Sequence, residues 1–382
     1  MRKHRKQIAI VIKVQVSETV LGLFSMKGKN MDSVLYTLSE HIHGQNYVIA
    51  SYYIKLPKEV DVIKKASTLA IGQTIGTWIP IPGITDEIRE KYMGKVVNIF
   101  DIPALDLATQ IEEDERKYII QIAYPAVNFG NDLPLLITSL LGNDASTSAQ
   151  VKLLDIEFPE EFTKKFAGPQ FGIDGIREYT KVKDRPFLLN MVKPCTGLTP
   201  EEGAKIFYQT ALGGVDFIKD DELLGNPSYS HPADRVKAFR KAAKAAYEES
   251  GNNVKYFVNV TSGTAEIMDN VKAVEDAGAD GIMINFAAVG YSVLKQVGEK
   301  TKLPILGHAA GSGMVYEGTL NGMSSPLAVG KLARLAGADI VMVNTPYGGY
   351  PLSYQKYMQT IEQLVLPFYH LKASMPSIGG GV

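Results

Sequence analysis

Two hydrophobic rhythms divide the chain. Up to about residue 160, apolar residues recur at every second position or at helical spacing, with no fixed order of strand and helix. Alternation over 47–55, 95–100, 116–124 and 149–158 predicts strands, and helical spacing over 60–71 and 133–141 predicts two helices. Strands joined in this irregular way predict an α+β domain over residues 46–160 with a mostly antiparallel sheet. Residues 1–45 stand apart as an N-terminal extension, with an alternating run, a turn at 27–29 and a helical pattern over 31–41. They read as an added hairpin or as an upstream translation artefact.

Beyond a connecting segment containing Gly168, Pro169, Gly172 and Gly175, the rhythm becomes strict. Strand patterns at 187–193, 215–219, 255–260, 281–286, 304–308, 339–344 and 374–378 alternate with helical patterns at 200–212, 233–250, 265–277, 293–299, 326–336 and 352–368. An unbroken β-then-α series predicts an α/β fold, a parallel sheet closing as a (β/α)8 TIM barrel over residues 161–382. Seven of the eight strands are present. The chain stops just after the seventh, so the expectation is a truncated or partial gene product, with an open, half-wound sheet as the alternative.

Composition narrows the function. With 382 residues, of which 45% are hydrophobic, the chain can bury a sizeable core in about two domains. A formal net charge of -1 gives no global field for nucleic acid or an anionic membrane, so a small anionic substrate needs local positive groups. Cys195 is the single cysteine, which excludes an intramolecular disulfide and a cysteine-based zinc site and fits a reducing cytoplasm. The basic start followed by the apolar run 8–16 imitates a signal peptide, but Lys13 and Gln15 interrupt it and no small-residue cleavage site follows. No run reaches the roughly 18 to 20 apolar residues of a spanning helix.

The chemistry gathers at the ends of the barrel strands. In Val215-Asp216-Phe217-Ile218-Lys219-Asp220-Asp221-Glu222 an apolar strand delivers one lysine and three acids to its C-terminal end, where barrel active sites sit. Asp221 and Glu222 are hard oxygen donors of the kind Mg²⁺ prefers, and Lys219 can pair with them, act as a base, or be carbamylated into a further anionic ligand. Alone, the tetrad also reads as a solvated acidic turn. Lys193, Asn259, Thr261, Asn285, His308, Asn344 and Thr345 fall at the same end of the other strands, and glycines at 379, 380 and 381 could offer N–H groups to a phosphate.

Lys193-Pro194-x-x-Gly197-Leu198, the run from Gly213 to Glu222 and Gly76-Thr77-Trp78 together resemble the large subunit of ribulose-bisphosphate carboxylase, over about residues 46–382. The resemblance implies a head-to-tail homodimer whose active site joins the barrel of one subunit to the N-terminal domain of the other. It implies Lys219 carbamylated by CO2 and binding Mg²⁺ with Asp221 and Glu222, and Lys193 over the reacting carbons as acid or base. Thr77, Trp78, Gly380 and Gly381 match the first phosphate site.

The departures from that family shape the expected activity. Ala309 follows His308 where the carboxylase has an arginine, and Met342 stands where it has a histidine, which together hold a second phosphate. The loop 345–351 lacks the expected lysine, and Gly72 or Gln73 replaces a glutamate. The expectation is therefore no CO2 fixation but Mg²⁺-assisted enolisation of a sugar monophosphate, as in the carboxylase-like 2,3-diketo-5-methylthiopentyl-1-phosphate enolases of methionine salvage, which the runs 71–78 and 168–177 resemble. Asn143 stands where that branch has its proton-abstracting lysine, and matches the asparagine of the carboxylase instead. Either Lys193 is the base, or the substrate is another sugar phosphate that is isomerised or decarboxylated. A Schiff-base aldolase using Lys219 or Lys193 and a catalytically silent homologue are the competing readings.

Overall fold

The computed structural model describes residues 35–77, 79, 81–107 and 114–379. Strands β1 (Tyr47–Pro57), β2 (Lys95–Ile102), β3 (Glu115–Pro125) and β4 (Lys152–Glu157) form an antiparallel sheet in the order β2-β3-β1-β4. Alternation along β1 buries Tyr52, Ile54 and Leu56 on one face. Helices Val62–Gly72 and Leu133–Leu141 belong to the same core, their first turns capped by the carboxylates of Asp61 and Asp132. Tyr52 joins the layers, its buried hydroxyl donating to the carbonyl of Leu140 at 2.9 Å.

Two expected boundaries shift in this domain. The fourth strand begins at Lys152 rather than 149, because Asp144–Ala149 winds into a π-helical turn that ends at Gln150 in a left-handed conformation (φ 55°). Of the helical stretch expected over 31–41, the described part holds Tyr36, bridged to the edge of β2 at Val96, and the short helix Ser39–Ile42. The backbone groups of the β2 edge compete successfully for this segment.

The second sheet contains β5 (Leu189–Met191), β6 (Phe217–Lys219), β7 (Lys255–Asn259), β8 (Gly281–Asn285), β9 (Ile305–His308), β10 (Ile340–Asn344) and β11 (Met375–Gly379). Neighbours in sequence are neighbours in space and every pair is parallel, as a strict β-α series predicts. Among the described residues β5 and β11 are the two edges. No helix of the described residues is long and apolar enough to cross a membrane.

Inward-facing residues stack in tiers. The floor is apolar: Phe217, Phe257, Met283, Leu306 and Ile340, flanked by Leu189 and Met375, form a cluster separate from the main core. It is closed by Phe171 and by Ile176 of helix Gly172–Thr180, an element that its glycines disguise as a linker in the sequence. Asp339 holds that plug. Its buried carboxylate accepts from the backbone N–H of Phe171 (2.6 Å), Gly172 (2.9 Å) and Ile305 (2.9 Å).

The two domains are pinned along β4. Lys152 Nζ donates to the carbonyl of Tyr316 at 2.6 Å, Ser324 Oγ to that of Leu154 at 2.6 Å, and Lys331 pairs with Asp155 at 2.6 Å. The barrel loop before Met323 therefore has a fixed position relative to the N-terminal sheet.

Replacing Asp339 by alanine leaves three N–H groups without their acceptor. The expected loss is about 3 kcal/mol of unfolding free energy, read by urea denaturation; an unchanged midpoint would show that the plug is held by other contacts.

Candidate active site at the barrel mouth

Two residues above the floor, the side chains of β6, β7, β8 and β9 turn polar. By strand alternation, Lys219, Asn259, Asn285 and His308 face inward in the second tier, with Met342 beside them, and Asp221 and Asn344 lie one step higher. Lys193 lies two residues beyond the end of β5 and reaches into the same region.

Strand β6 is held at its end by a residue that faces away from the mouth. Asp220 is fully buried and accepts from Arg235 Nε at 3.0 Å and Nη2 at 2.9 Å, from the Tyr256 hydroxyl, and from the N–H of Asn259 at 2.9 Å. Arg235, equally buried, also donates to the carbonyls of Leu224, Gly225, Ser230 and Asn259. A charge pair with its remaining donors satisfied is the arrangement in which burial is tolerated. The side-chain amide of Asn259 completes the clamp by donating to the carbonyls of Asp221 at 3.3 Å and Glu222 at 3.2 Å.

With Asp220 turned out, Lys219 and Asp221 turn in. Lys219 has no solvent exposure, donates to the carbonyl of Asp220 at 3.0 Å and lies 3.7 Å from Glu222 Oε2. Burial lowers its pKa below the usual lysine value, partly offset by the acids at Glu222, Asp221 and Asp220. Asp221 Oδ2 accepts from Lys193 Nζ at 2.6 Å, and Lys193 Nζ also lies 2.9 Å from Cys195 Sγ. Burial opposes the ionised form of Asp221, but its hydrogen bonds from Lys193 and Leu223 N–H prevail and its pKa falls. Lys193 shifts upward, first through Asp221 and then through Cys195, so it is an ammonium here.

His308 closes the cluster. Its Nδ1 accepts from the N–H of Ala310 at 3.1 Å, leaving the proton of the neutral ring on Nε2, 3.4 Å from Glu222 Oε2. Burial, then the charge of Lys219, lowers its pKa to about 4.

The structure thus brings together Lys193, Lys219, Asp221, Glu222 and His308. Thr77 and Asn143 lie instead on loops of the N-terminal domain, Thr77 accepting from the N–H of Ile79 at 3.0 Å and Asn143 exposed beside the π-helical turn. The helices that precede those loops are joined through Gln73, whose Nε2 donates to the carbonyl of Ser139 at 2.8 Å. Among the described residues no hydrogen bond or ion pair links Thr77 or Asn143 to the Lys219 cluster. Trp78, Gly380 and Gly381 lie outside the described residues. Sequence reading missed Asp220, Arg235 and Tyr256 as supports; the alternation of inward and outward positions along β6 was the available signal. A 750 Å³ groove between helices Pro200–Leu212 and Pro232–Ser250 lies on the outer wall and contains none of these residues.

The neutral state of His308 has a pH signature. Between about 4 and 6.5 the unfolded chain binds a proton that the folded chain refuses, so stability is full above pH 6.5 and falls as the pH drops toward 4. Compared with His308→Gln, the parent should lose stability more steeply across that window in urea titrations; parallel curves would contradict the assignment. Separately, Arg235→Met should cost about 3–5 kcal/mol by stranding Asp220, and a loss below about 1 kcal/mol would rule out the clamp.

Residues 172–375 match the family model described as ribulose bisphosphate carboxylase large chain, catalytic domain, and residues 36–162 match the N-terminal domain of the same chain. The ribulose bisphosphate carboxylase-like protein of Archaeoglobus fulgidus is 42% identical over 347 residues, covering 90% of this chain and 79% of the relative. The 2,3-diketo-5-methylthiopentyl-1-phosphate enolase of Geobacillus kaustophilus is 38% identical, with 80% and 74% covered. The crystal structure of a rubisco-like protein from Alicyclobacillus acidocaldarius superposes with a TM-score of 0.80 at 30% identity, covering 88% of this chain and 82% of that one. With both domains matched in order and two-thirds or more of each relative covered, the chain belongs to the ribulose bisphosphate carboxylase large-chain family and stands among its carboxylase-like members.

Proposed function

We propose that the chain is a Mg²⁺-dependent enzyme that enolises a phosphorylated keto-sugar without fixing CO2. The observation that carries this reading is the convergence of two carboxylates, a buried lysine and a second lysine at one point of the barrel mouth. Among the described residues no three His, Cys, Asp or Glu side chains converge as a ready metal site. Asp221 and Glu222 supply two hard oxygen donors, and a carbamate formed from CO2 on Lys219 would supply the third. The lowered pKa of Lys219 favours the neutral amine from which a carbamate forms. The donor set therefore fits Mg²⁺ once the lysine is modified. When bound there, the metal would supply Lewis-acid polarisation of a carbonyl beside the C–H bond to be broken.

The chain's own groups divide the remaining work. Lys193 is protonated while Asp221 faces it, so it can serve as an acid; it becomes a base only when Asp221 is engaged elsewhere. His308 presents Nε2–H toward Glu222 and can donate to a substrate oxygen. Thr77 and Asn143, being away from this cluster, would serve the barrel of a second copy in a homodimer, with Thr77, Trp78, Gly380 and Gly381 around one phosphate. A sugar phosphate substrate and a single cysteine fit a cytoplasmic activity.

Two features support the exclusion of carboxylation. Met342 contributes an apolar side chain to the barrel interior and Ala309 a methyl group, so the wall beside β9 and β10 lacks the charges for a second phosphate. The loop after β10 carries exposed Tyr347 and Tyr350 and no lysine. A second reading, isomerisation or decarboxylation of another sugar monophosphate, draws on Asn143, whose amide cannot abstract a proton.

Among candidate keto-sugar monophosphates, the methylthio diketone included, at least one should take up solvent deuterium when Mg²⁺ and bicarbonate are present, and the exchange should stop on chelation. Lys219→Ala should lower that exchange by about 100-fold or more. Exchange that survives chelation or the substitution would overturn the metal assignment; tight Mg²⁺ binding with no exchange would favour a silent homologue.

A further inference from the structure

One wall of the barrel mouth is built for hydrogen bonding without charge. Asn344 ends β10, two residues above Met342 and four above Ile340 of the apolar floor, and lies opposite Gly379 in the register with β11. Its Nδ2 donates to the Tyr316 hydroxyl at 3.3 Å. Tyr316 comes from the loop after β9, at the end of the short helix Gly313–Tyr316. The backbone of Tyr316 is anchored from the other domain, since its carbonyl accepts from Lys152 Nζ at 2.6 Å.

The pair leaves one donor and one acceptor unused. The hydroxyl of Tyr316 receives a hydrogen bond, so its own proton is free to be donated, and among the described residues it meets no acceptor. Asn344 Oδ1 receives no hydrogen bond from the described residues and is not among their buried unpaired atoms, so it is open to solvent. A donor beside an acceptor matches a hydroxyl group, which both accepts and donates. No charged residue occurs between His308 and Glu317 on one loop, or between Met342 and Lys356 on the other. A methyl or thioether would displace water from both polar atoms without replacing its bonds.

We propose that Tyr316 and Asn344 form a hydroxyl-recognising pair, selecting a keto-sugar monophosphate that presents a hydroxyl group to this wall. This rests on the enolisation reading and narrows its substrate class. The reacting carbonyl would lie toward Lys219, Asp221 and Lys193, and the recognised hydroxyl against β9 and β10.

Calorimetric binding in Mg²⁺ and bicarbonate tests the pair without depending on turnover. Ribulose 1-phosphate, which carries a terminal hydroxyl, should bind about 10- to 100-fold more tightly than 5-deoxyribulose 1-phosphate. Tyr316→Phe, which keeps the ring, should bring that ratio close to one, and Asn344→Ala should do the same. Equal affinities in the parent, tighter binding of the deoxy compound, no binding of either, or a ratio that survives Tyr316→Phe would each overturn the proposal. Deuterium exchange on the same samples separates the two claims. Exchange with equal binding leaves enolisation standing and removes the hydroxyl pair; selective binding without exchange does the reverse.

Discussion

The barrel mouth depends on one buried ion pair. Asp220 and Arg235 sit out of solvent, each bonded to several partners, and they decide which way the end of β6 faces. Successive strand residues point to opposite faces, so turning Asp220 outward turns Lys219 and Asp221 inward. The same guanidinium holds the carbonyls of Leu224 and Gly225, and so limits where the loop after the acids can go. A buried pair of this kind adds little to stability compared with an apolar substitute, but losing one member is severe. Its value is positional.

From that constraint follows a gradient of polarity up the barrel. The floor is apolar and plugged by a helix that Asp339 caps; the second tier holds Lys219, Asn259, Asn285 and His308; the rim carries Lys193 and Asp221 on one side and Asn344 with Tyr316 on the other. Burial in the second tier keeps His308 neutral and weakens the proton affinity of Lys219, whereas Lys193 at the rim stays an ammonium because Asp221 faces it. Two lysines beside the same acids thus hold opposite protonation tendencies, set by depth.

Much of this was legible in the residues. The strict strand and helix alternation after residue 187 marked the parallel sheet, and helix Pro200–Leu212 begins and ends where its proline and glycine signals place it. Lys219, Asp221, Glu222, Lys193 and His308 could be grouped because each lies at or just beyond the end of a strand. The plug helix Gly172–Thr180 was hidden, since Gly172 and Gly175 read as linker and only Ile176 among its larger apolar residues is fully buried. The π-helical turn before β4 was hidden too, because small residues in Asp144–Ala149 fit strand and helix alike. Arg235 and Tyr256, which hold Asp220, come from a helix and a strand further along the chain, and no local pattern announces the contact. Tyr316 and Asn344 meet only because a loop anchored by the N-terminal domain crosses to the neighbouring strand.

In the proposed chemistry, two carboxylates become a metal site only when Lys219 gains a third anionic group. Mg²⁺ affinity measured by calorimetry with and without bicarbonate tests this directly. Bicarbonate should tighten binding by about tenfold or more, since one added ligand charge is worth at least about 1.4 kcal/mol at such a site. Identical affinity in its absence would contradict that claim.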